Sequence, residues 1–378
     1  MTTAHILCYA RSPFCPSGKG ELSGTRPDDL LAETLRALVM RSGVDPALIE
    51  DVVCGCAFPE AEQGYNIARQ ASLLAGLPLT AGGATVNRFC GSSMQAIHQA
   101  AGMIALDAGD VFIACGVESM SRVPMLGFNP MFNPVLAREQ PDAYATMGQT
   151  AENLATRYGI ARDAQETYAV ESQRKAADAD ANGRLVDEIV PIVTSGGVID
   201  RDRCIRPGTS AEKLASLKAA FSAEGSVTAG TSSPLTDGAA AVVVVSSRFL
   251  ERHGGRPLAR IRGISIAGCE PGLMGYGPVP AVRKLLDRTG LEISDLDVIE
   301  SNEAFSVQAM VVARELGFPG DRVNLDGGAL AIGHPLGATG ARITGKAAQL
   351  LGRTGGKYAL ATQCIGGGQG IATLLEAC

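Results

Sequence analysis

Three short segments carry side chains that could bear a covalent intermediate or move protons. In the first, Asn87-Arg-Phe-Cys90-Gly-Ser-Ser-Met94, a cysteine precedes Met94, Ile97, Ala101 and Ile104. Their spacing of three and four predicts a helix that begins within a residue or two of Cys90. A thiol at that point meets unpaired N–H groups and the positive end of the helix dipole, which lower its pKa and favour a nucleophilic thiolate. An isolated cysteine is also commonly a small core residue, so position alone does not separate the two. The second segment, Gly327-Gly-Ala-Leu-Ala-Ile-Gly-His334-Pro-Leu-Gly-Ala-Thr-Gly340, holds one of only four histidines. Pro335 pushes His334 out of helical geometry and the glycines allow close backbone approach, so the imidazole is expected on a loop, either as a proton carrier or, as is more common for a lone histidine there, as a hydrogen-bonded structural group. The third, Cys364-Ile-Gly366-Gly-Gly-Gln-Gly370, follows an apolar run, and glycines after a strand let N–H groups converge on a developing oxyanion. Neither glycine-rich segment has the spacing of a phosphate-binding loop or a dinucleotide fingerprint.

The elements that must position these groups occur twice. Arg41-Ser-Gly-Val, an apolar run and Ala57-Phe58 are echoed at a constant offset by Arg288-Thr-Gly-Leu, Val298-Ile299 and Ala304-Phe305. Val86-Asn87 with Cys90-Gly91 is echoed by Val323-Asn324 with Gly327-Gly328, and the run Val111 to Ala114 by Tyr358 to Ala361. Each half reads as helix, strand, loop, helix, strand, with helical apolar spacing over Leu30 to Val39 and again over Val282 to Leu286. Such alternation implies parallel or mixed sheets covered by helices, an α/β class. The segments bearing His334 and Cys364 match those around Cys90 and Cys115, so the halves are expected to face one another across one site. Between them, residues 118–235 shift to Met, Pro, Asn and polar helix, as in an inserted loop domain, with a plain third domain equally consistent with the pattern. The expected division is therefore an N-terminal half over residues 1–117, completed by about 236–256, the insert at 118–235, and a C-terminal half over 257–378.

Composition narrows the function classes. The 46 glycines, 46% hydrophobic residues, 4% aromatics and lack of Trp suit an Ala/Val/Gly-rich globular α/β chain rather than a disordered or fibrous one. A net charge of −6 without a Lys/Arg run marks no nucleic-acid face and no polybasic membrane patch. The longest apolar run, Ala239 to Val245, falls far short of the roughly 20 residues of a membrane helix and reads as a buried strand. The first residues lead almost directly into a strand-like segment, Ile6 to Ala10, with no leader pattern, so the expected location is cytoplasmic. Ten scattered cysteines fit neither a zinc site nor a redox pair, and no metal is expected.

Together with Thr228-Ala-Gly-Thr-Ser-Ser233-Pro-Leu-Thr-Asp-Gly-Ala-Ala, Met274-Gly-Tyr-Gly-Pro-Val-Pro280 and Asn302-Glu-Ala-Phe305, these segments resemble the thiolase family from end to end, most closely its degradative 3-ketoacyl-CoA thiolases (acetyl-CoA acyltransferases). The resemblance implies the thiolase fold: two duplicated βαβαβαββ halves in five α/β layers with an inserted loop domain. It implies that Cys90 carries the acyl group, that His334 activates it, and that Cys364 is the second proton carrier. Asn302 is expected to hold a water that, with His334, stabilises an enolate oxygen. The N–H groups of Cys90 and Gly366 are expected to bind the tetrahedral oxyanion. Ser233 matches a pantetheine contact, and Met147 and Phe305 match residues near the acyl pocket. CoA enters as co-substrate and no cofactor is bound permanently. The family also implies a homodimer or homotetramer, with a hydratase/dehydrogenase chain as the partner where a β-oxidation complex forms.

The implied reaction is thiolytic cleavage of a 3-ketoacyl-CoA through a Cys90 thioester. Acetoacetyl-CoA thiolases working in the condensing direction usually carry His before the Met-Gly of the loop domain, where this chain has Thr146 before Met147-Gly148. That departure and the Cys-Gly-Ser-Ser form around Cys90 lean towards the degradative branch, whereas the Gly366-Gly-Gly run is common among short-chain enzymes. A β-ketoadipyl-CoA type thiolase and a non-catalytic CoA or lipid carrier are the other readings, and intact Cys90, His334 and Cys364 weigh against the carrier.

Overall fold

The computed structural model describes residues 2–378. The chain opens with strands β1 (Ala4–Arg11) and β2 (Cys15–Pro16). Helix α1 (Pro27–Ser42) begins with proline in its first turn and Asp28 and Asp29 beside the positive dipole end, and it stops at Gly43, whose φ of 66° few other residues adopt at low cost. Strand β3 (Asp51–Gly55), helix α2 (Ile67–Leu74), strand β4 (Ala84–Val86), helix α3 (Ser92–Ala105) and strand β5 (Val111–Ser119) follow. The intervening stretch holds α4 (Pro134–Glu139), α5 (Met147–Tyr158), α6 (Arg162–Ala181), the hairpin β6 (Ile192–Thr194) and β7 (Gly197–Ile199), and α7 (Ala211–Ala215). Strand β8 (Thr236–Ser246) contains the long apolar run and is buried throughout, as that run implied; α8 (Ser247–His253) follows. The remainder is β9 (Ala259–Gly268), α9 (Pro278–Thr289), β10 (Val298–Ser301), α10 (Ser306–Leu316), α11 (Ala329–Ile332), α12 (Leu336–Thr354), β11 (Tyr358–Ile365) and β12 (Gln369–Glu376).

One continuous path of hydrogen-bonded strands runs β10-β11-β12-β9-β1-β8-β5-β3-β4, with β2 attached to β8. Its middle is a short antiparallel seam, His5 with Arg260 and Ile6 with Ala259. Outward from the seam the pairing is mirrored. β8 and β12 are antiparallel to their neighbours, and the parallel pairs β3–β5 and β10–β11 lie beyond. The internal repeat of the sequence is thus a repeat of strand order.

Helices α3 and α12 pack on each other, and α12 touches both β5 of the first half and β11 of the second, so the two helices form a layer between the halves. Helix α1 covers the outer face of the first half and α9 that of the second. Separate apolar clusters fill each interface, which gives the five-layer α/β arrangement. The central layer is closely spaced: a Cβ on Gly340 of α12 would lie 2.3 Å from the Met94 backbone nitrogen of α3. Gly340→Ala is therefore expected to lower stability by about 1–3 kcal/mol, read as a lower urea midpoint with an unchanged slope.

Candidate active site

The nucleophile candidate sits on a strained turn. Phe89, just before Cys90, takes a φ of 43°, a left-handed conformation that costs roughly 1–3 kcal/mol in a non-glycine residue. Side-chain bonds hold it there. Asn87 Oδ1 accepts from Phe89 N at 2.8 Å, and Ser92 Oγ accepts from Arg88 N at 2.8 Å while donating to Phe89 O at 2.6 Å. Helix α3 then starts at Ser92 with Gly91 as its cap, within two residues of Cys90 as the spacing predicted. The Cys90 carbonyl accepts from Gln363 Nε2 of β11, which ties this turn to the second half.

His334 lies on the three-residue link between α11 and α12, preceded by Gly333 at φ 109°. Its Nδ1 is 2.7 Å from Thr339 Oγ1, whose hydroxyl in turn donates to Pro335 O at 3.2 Å. With its proton so committed, Thr339 offers a lone pair, so Nδ1 carries the hydrogen and Nε2 is left as the base. Nε2 is 3.4 Å from Asn302 Nδ2, just beyond the end of β10. Asn302 Oδ1 is buried and has no partner among the described residues. Burial and the positive charge of Arg342 push His334 down to about 3, so the imidazole is neutral near pH 7.

Cys364 lies within β11 rather than in the glycine turn after the apolar run. Antiparallel pairing with β12, Cys364 opposite Gly370, carries the strand past the run read from the sequence. Burial first, and then the nearby Cys90, hold its thiol well above the usual range, so it is protonated. The expectation that the helix start would lower the Cys90 pKa is overturned. The N–H groups of Gly366 and Cys90 do favour the thiolate, but desolvation outweighs them and pushes the thiol up to about 12.

These groups converge on one cavity of about 180 Å³, lined by Cys90, His334, Cys364, Met147, Ser233 and Phe305 among mostly apolar neighbours. All eight residues singled out from the sequence are thus associated with it: Asn302 lies behind His334, and Gly366 lies beside Phe89 and Met147, from where its N–H favours the Cys90 thiolate. A larger cavity of about 450 Å³ beside Tyr168, Lys175 and Glu303 contains neither a thiol nor an imidazole. Among the described residues no group of His, Cys, Asp and Glu is placed to share a metal ion.

Sequence reasoning missed the groups that hold the site in shape. Thr339 fixes the tautomer of His334, and Phe221 lies edge-on to Phe305 at 5.9 Å to form part of the wall. Glu118, at the end of β5, accepts from the N–H groups of Ala57 (2.8 Å), Phe58 (3.2 Å) and Gly337 (2.9 Å) and from Gln63 Nε2 (2.9 Å). It thereby joins the first half to the first turn of α12, beside His334. An acidic residue interrupting an apolar run was its signal in the sequence.

Two buried imidazoles also set a pH limit. His334 and His98 both lie near 3 when folded, chiefly through burial, against an ordinary value of 6.5. Below about 6.5 the unfolded chain takes up protons that the folded one refuses, so stability is expected to fall as pH drops from about 6.5 towards 3, with no contribution from these groups above that window. Urea midpoints measured between pH 8 and 5 check this.

Comparisons with known proteins show the family of the chain. The family description "Thiolase, N-terminal domain" matches residues 5–248, and "Thiolase, C-terminal domain" matches residues 255–377. The chain is similar to the 3-ketoacyl-CoA thiolase of Bacillus subtilis, with 44% identity over 391 aligned positions, and to that of Shewanella denitrificans, with 47% over 386. Both alignments cover 100% of each chain.

Proposed function

The chain belongs to the thiolase family and is an acyltransferase, and on that premise we propose that it cleaves 3-ketoacyl-CoA with CoA to acetyl-CoA and a shortened acyl-CoA, through a thioester on Cys90. The observation that carries the residue assignment is the single apolar cavity onto which a strained-turn thiol, a neutral imidazole and a second, protonated thiol all open.

In the first half-reaction His334 Nε2 takes the Cys90 proton as the sulfur attacks the keto carbon. The oxyanion that forms is held by the N–H groups of Cys90 and Gly366. Collapse breaks the bond between the second and third carbons and leaves the acyl group on Cys90. The departing acetyl-CoA enolate is bonded by the protonated His334 and by a water held at Asn302, and Cys364 delivers a proton to its carbon. In the second half-reaction CoA gives its thiol proton to the Cys364 thiolate and attacks the Cys90 thioester. The shortened acyl-CoA leaves and His334 returns the proton to Cys90. The proton and nucleophile inventory closes with CoA as co-substrate and no resident cofactor.

Thr146, which caps α5 through Gln149 N at 3.3 Å, stands where condensing relatives carry His, and it favours the degradative direction. The apolar walls of Met147, Phe221 and Phe305 favour a hydrocarbon chain over a polar substituent. Each methylene buried there is worth about 0.8 kcal/mol, so kcat/KM is expected to rise roughly fourfold per carbon above acetoacetyl-CoA until the cavity is full. CoA-dependent loss of 3-ketoacyl-CoA absorbance across short, medium and long chains reads this; a maximum at acetoacetyl-CoA would move the protein to the short-chain branch.

The described cysteines are all free thiols, which supports a reducing compartment, the cytoplasm. No helix among the described residues is long and apolar enough to cross a membrane. A homodimer or homotetramer is supported by the open edge at β4 and by the exposed side chains of Phe128, Met131, Phe132 and Val135.

A further inference from the structure

Helix α12 and strand β10 are bridged twice. The first bridge is in the site itself: His334 is bonded to Thr339 on the helix and faces Asn302 at the strand end. Arg342 stands three residues beyond Thr339, on the same helix face. Glu300 stands two residues before Asn302, on the same side of the strand. One step behind His334, Arg342 Nη1 donates to Glu300 Oε2 at 3.1 Å, and the two residues are 1% and 0% exposed.

This second bridge is poorly built for stability. Arg342 Nε and Nη2, Glu300 Oε1 and the nearby Tyr9 hydroxyl find no partner among the described residues. The neighbouring charges are much better matched. Lys346 is 2.8 Å from both Glu188 and Asp326, and Arg11 is paired with Glu188 and Asp202. A buried ion pair with unmet hydrogen bonds contributes little or negative net stability, so its place behind the base calls for another reason. The Arg342 charge reaches His334, where it opposes the imidazolium.

We propose that Arg342 and Glu300 are positioning residues for the His334 base. Arg342 fixes α12 against β10 and keeps His334 neutral at rest, while Glu300 supplies the countercharge that lets His334 take the Cys90 proton. Glu300 faces Arg342 and Lys346 from α12, Tyr9 from β1, Glu188 from the turn at Val186–Glu188, and Asp326 from the loop before α11. Burial, partly offset by Arg342 and Lys346, pushes its carboxyl up to about 7. As pH falls through that value Glu300 becomes neutral, Arg342 is left uncompensated, and proton transfer to His334 becomes harder.

The inference rests on the role assigned above to His334. It is tested by the pH dependence of thiolysis and, independently of any 3-ketoacyl substrate, by the pH dependence of Cys90 alkylation with iodoacetamide, followed on the Cys90 peptide. In the natural protein both rates are expected to fall along a limb near pH 7. Glu300→Gln is expected to remove that limb and to lower kcat at pH 8 about tenfold, the equivalent of one pKa unit at the base, with KM within about twofold. Glu300→Asp is expected to keep the limb, displaced, and to recover most of kcat; it also serves as the test if the amide variant does not fold. A limb that persists unchanged in either variant, or a kcat loss that tracks thermal stability alone and is not recovered by Asp, overturns the proposal. Absence of cleavage with the alkylation limb intact would instead count against the thiolytic reading and leave the positioning role standing.

Discussion

Cys90→Ala is expected to lower thiolysis by about 10⁴-fold or more while the protein stays folded, because no other group on the cavity replaces a covalent acyl carrier. Cys90 is 7% exposed, and its side chain packs with Ala57, Met120 and Leu336. Removing one sulfur there costs at most a small cavity, and the turn that aims it is held by Asn87 and Ser92 rather than by the thiol. Thermal unfolding should therefore shift by a few degrees at most while turnover is lost. A variant that keeps even a hundredth of the natural rate would mean that the acyl group travels by another path.

Cys364→Ala separates the two chemical halves. Breaking the carbon–carbon bond requires a proton at the departing carbon, and Cys364 is the protonated thiol on the cavity beside Cys90. Thiolysis is expected to fall about 10²–10⁴-fold, the usual contribution of a positioned acid or base. Acylation of Cys90 by a saturated acyl-CoA is the reverse of the second half-reaction, in which Cys364 protonates a departing thiolate; a thiolate leaves with far less help than a carbanion, so this step should be reduced far less. Equal loss of both would assign Cys364 a structural rather than a proton-transfer role. At 0% exposure and within β11, it makes that control necessary.

The legible part of the site was the part encoded locally. Cys90 stood before a helix with clear three-and-four spacing, His334 was followed by proline in a glycine-rich run, and the repeat gave the expectation that the two halves face each other across one site. Each of those signals is a short-range constraint on backbone geometry, and the structure bears the helix start and the loop out. The long-range features were not legible. The Thr339 bond depends on how α12 leaves the loop, Glu118 collects donors from three separate segments, and Arg342 meets Glu300 across 42 residues of chain. The error over the Cys90 pKa has the same origin. The helix dipole is visible in a sequence, whereas the desolvation that exceeds it depends on everything packed around the thiol. Strand β11 likewise runs past its apolar residues because β12 pairs with it, a constraint that hydropathy does not carry.

The central claim is that the acyl group rides on Cys90, and the most direct measurement is the mass of the protein quenched after mixing with a 3-ketoacyl-CoA in the absence of free CoA. The account predicts a mass increase equal to the shortened acyl group, located on the peptide containing Cys90, removed on addition of CoA and absent from Cys90→Ser. No adduct under conditions where acetyl-CoA is released, or an adduct that maps to any other residue, would contradict it.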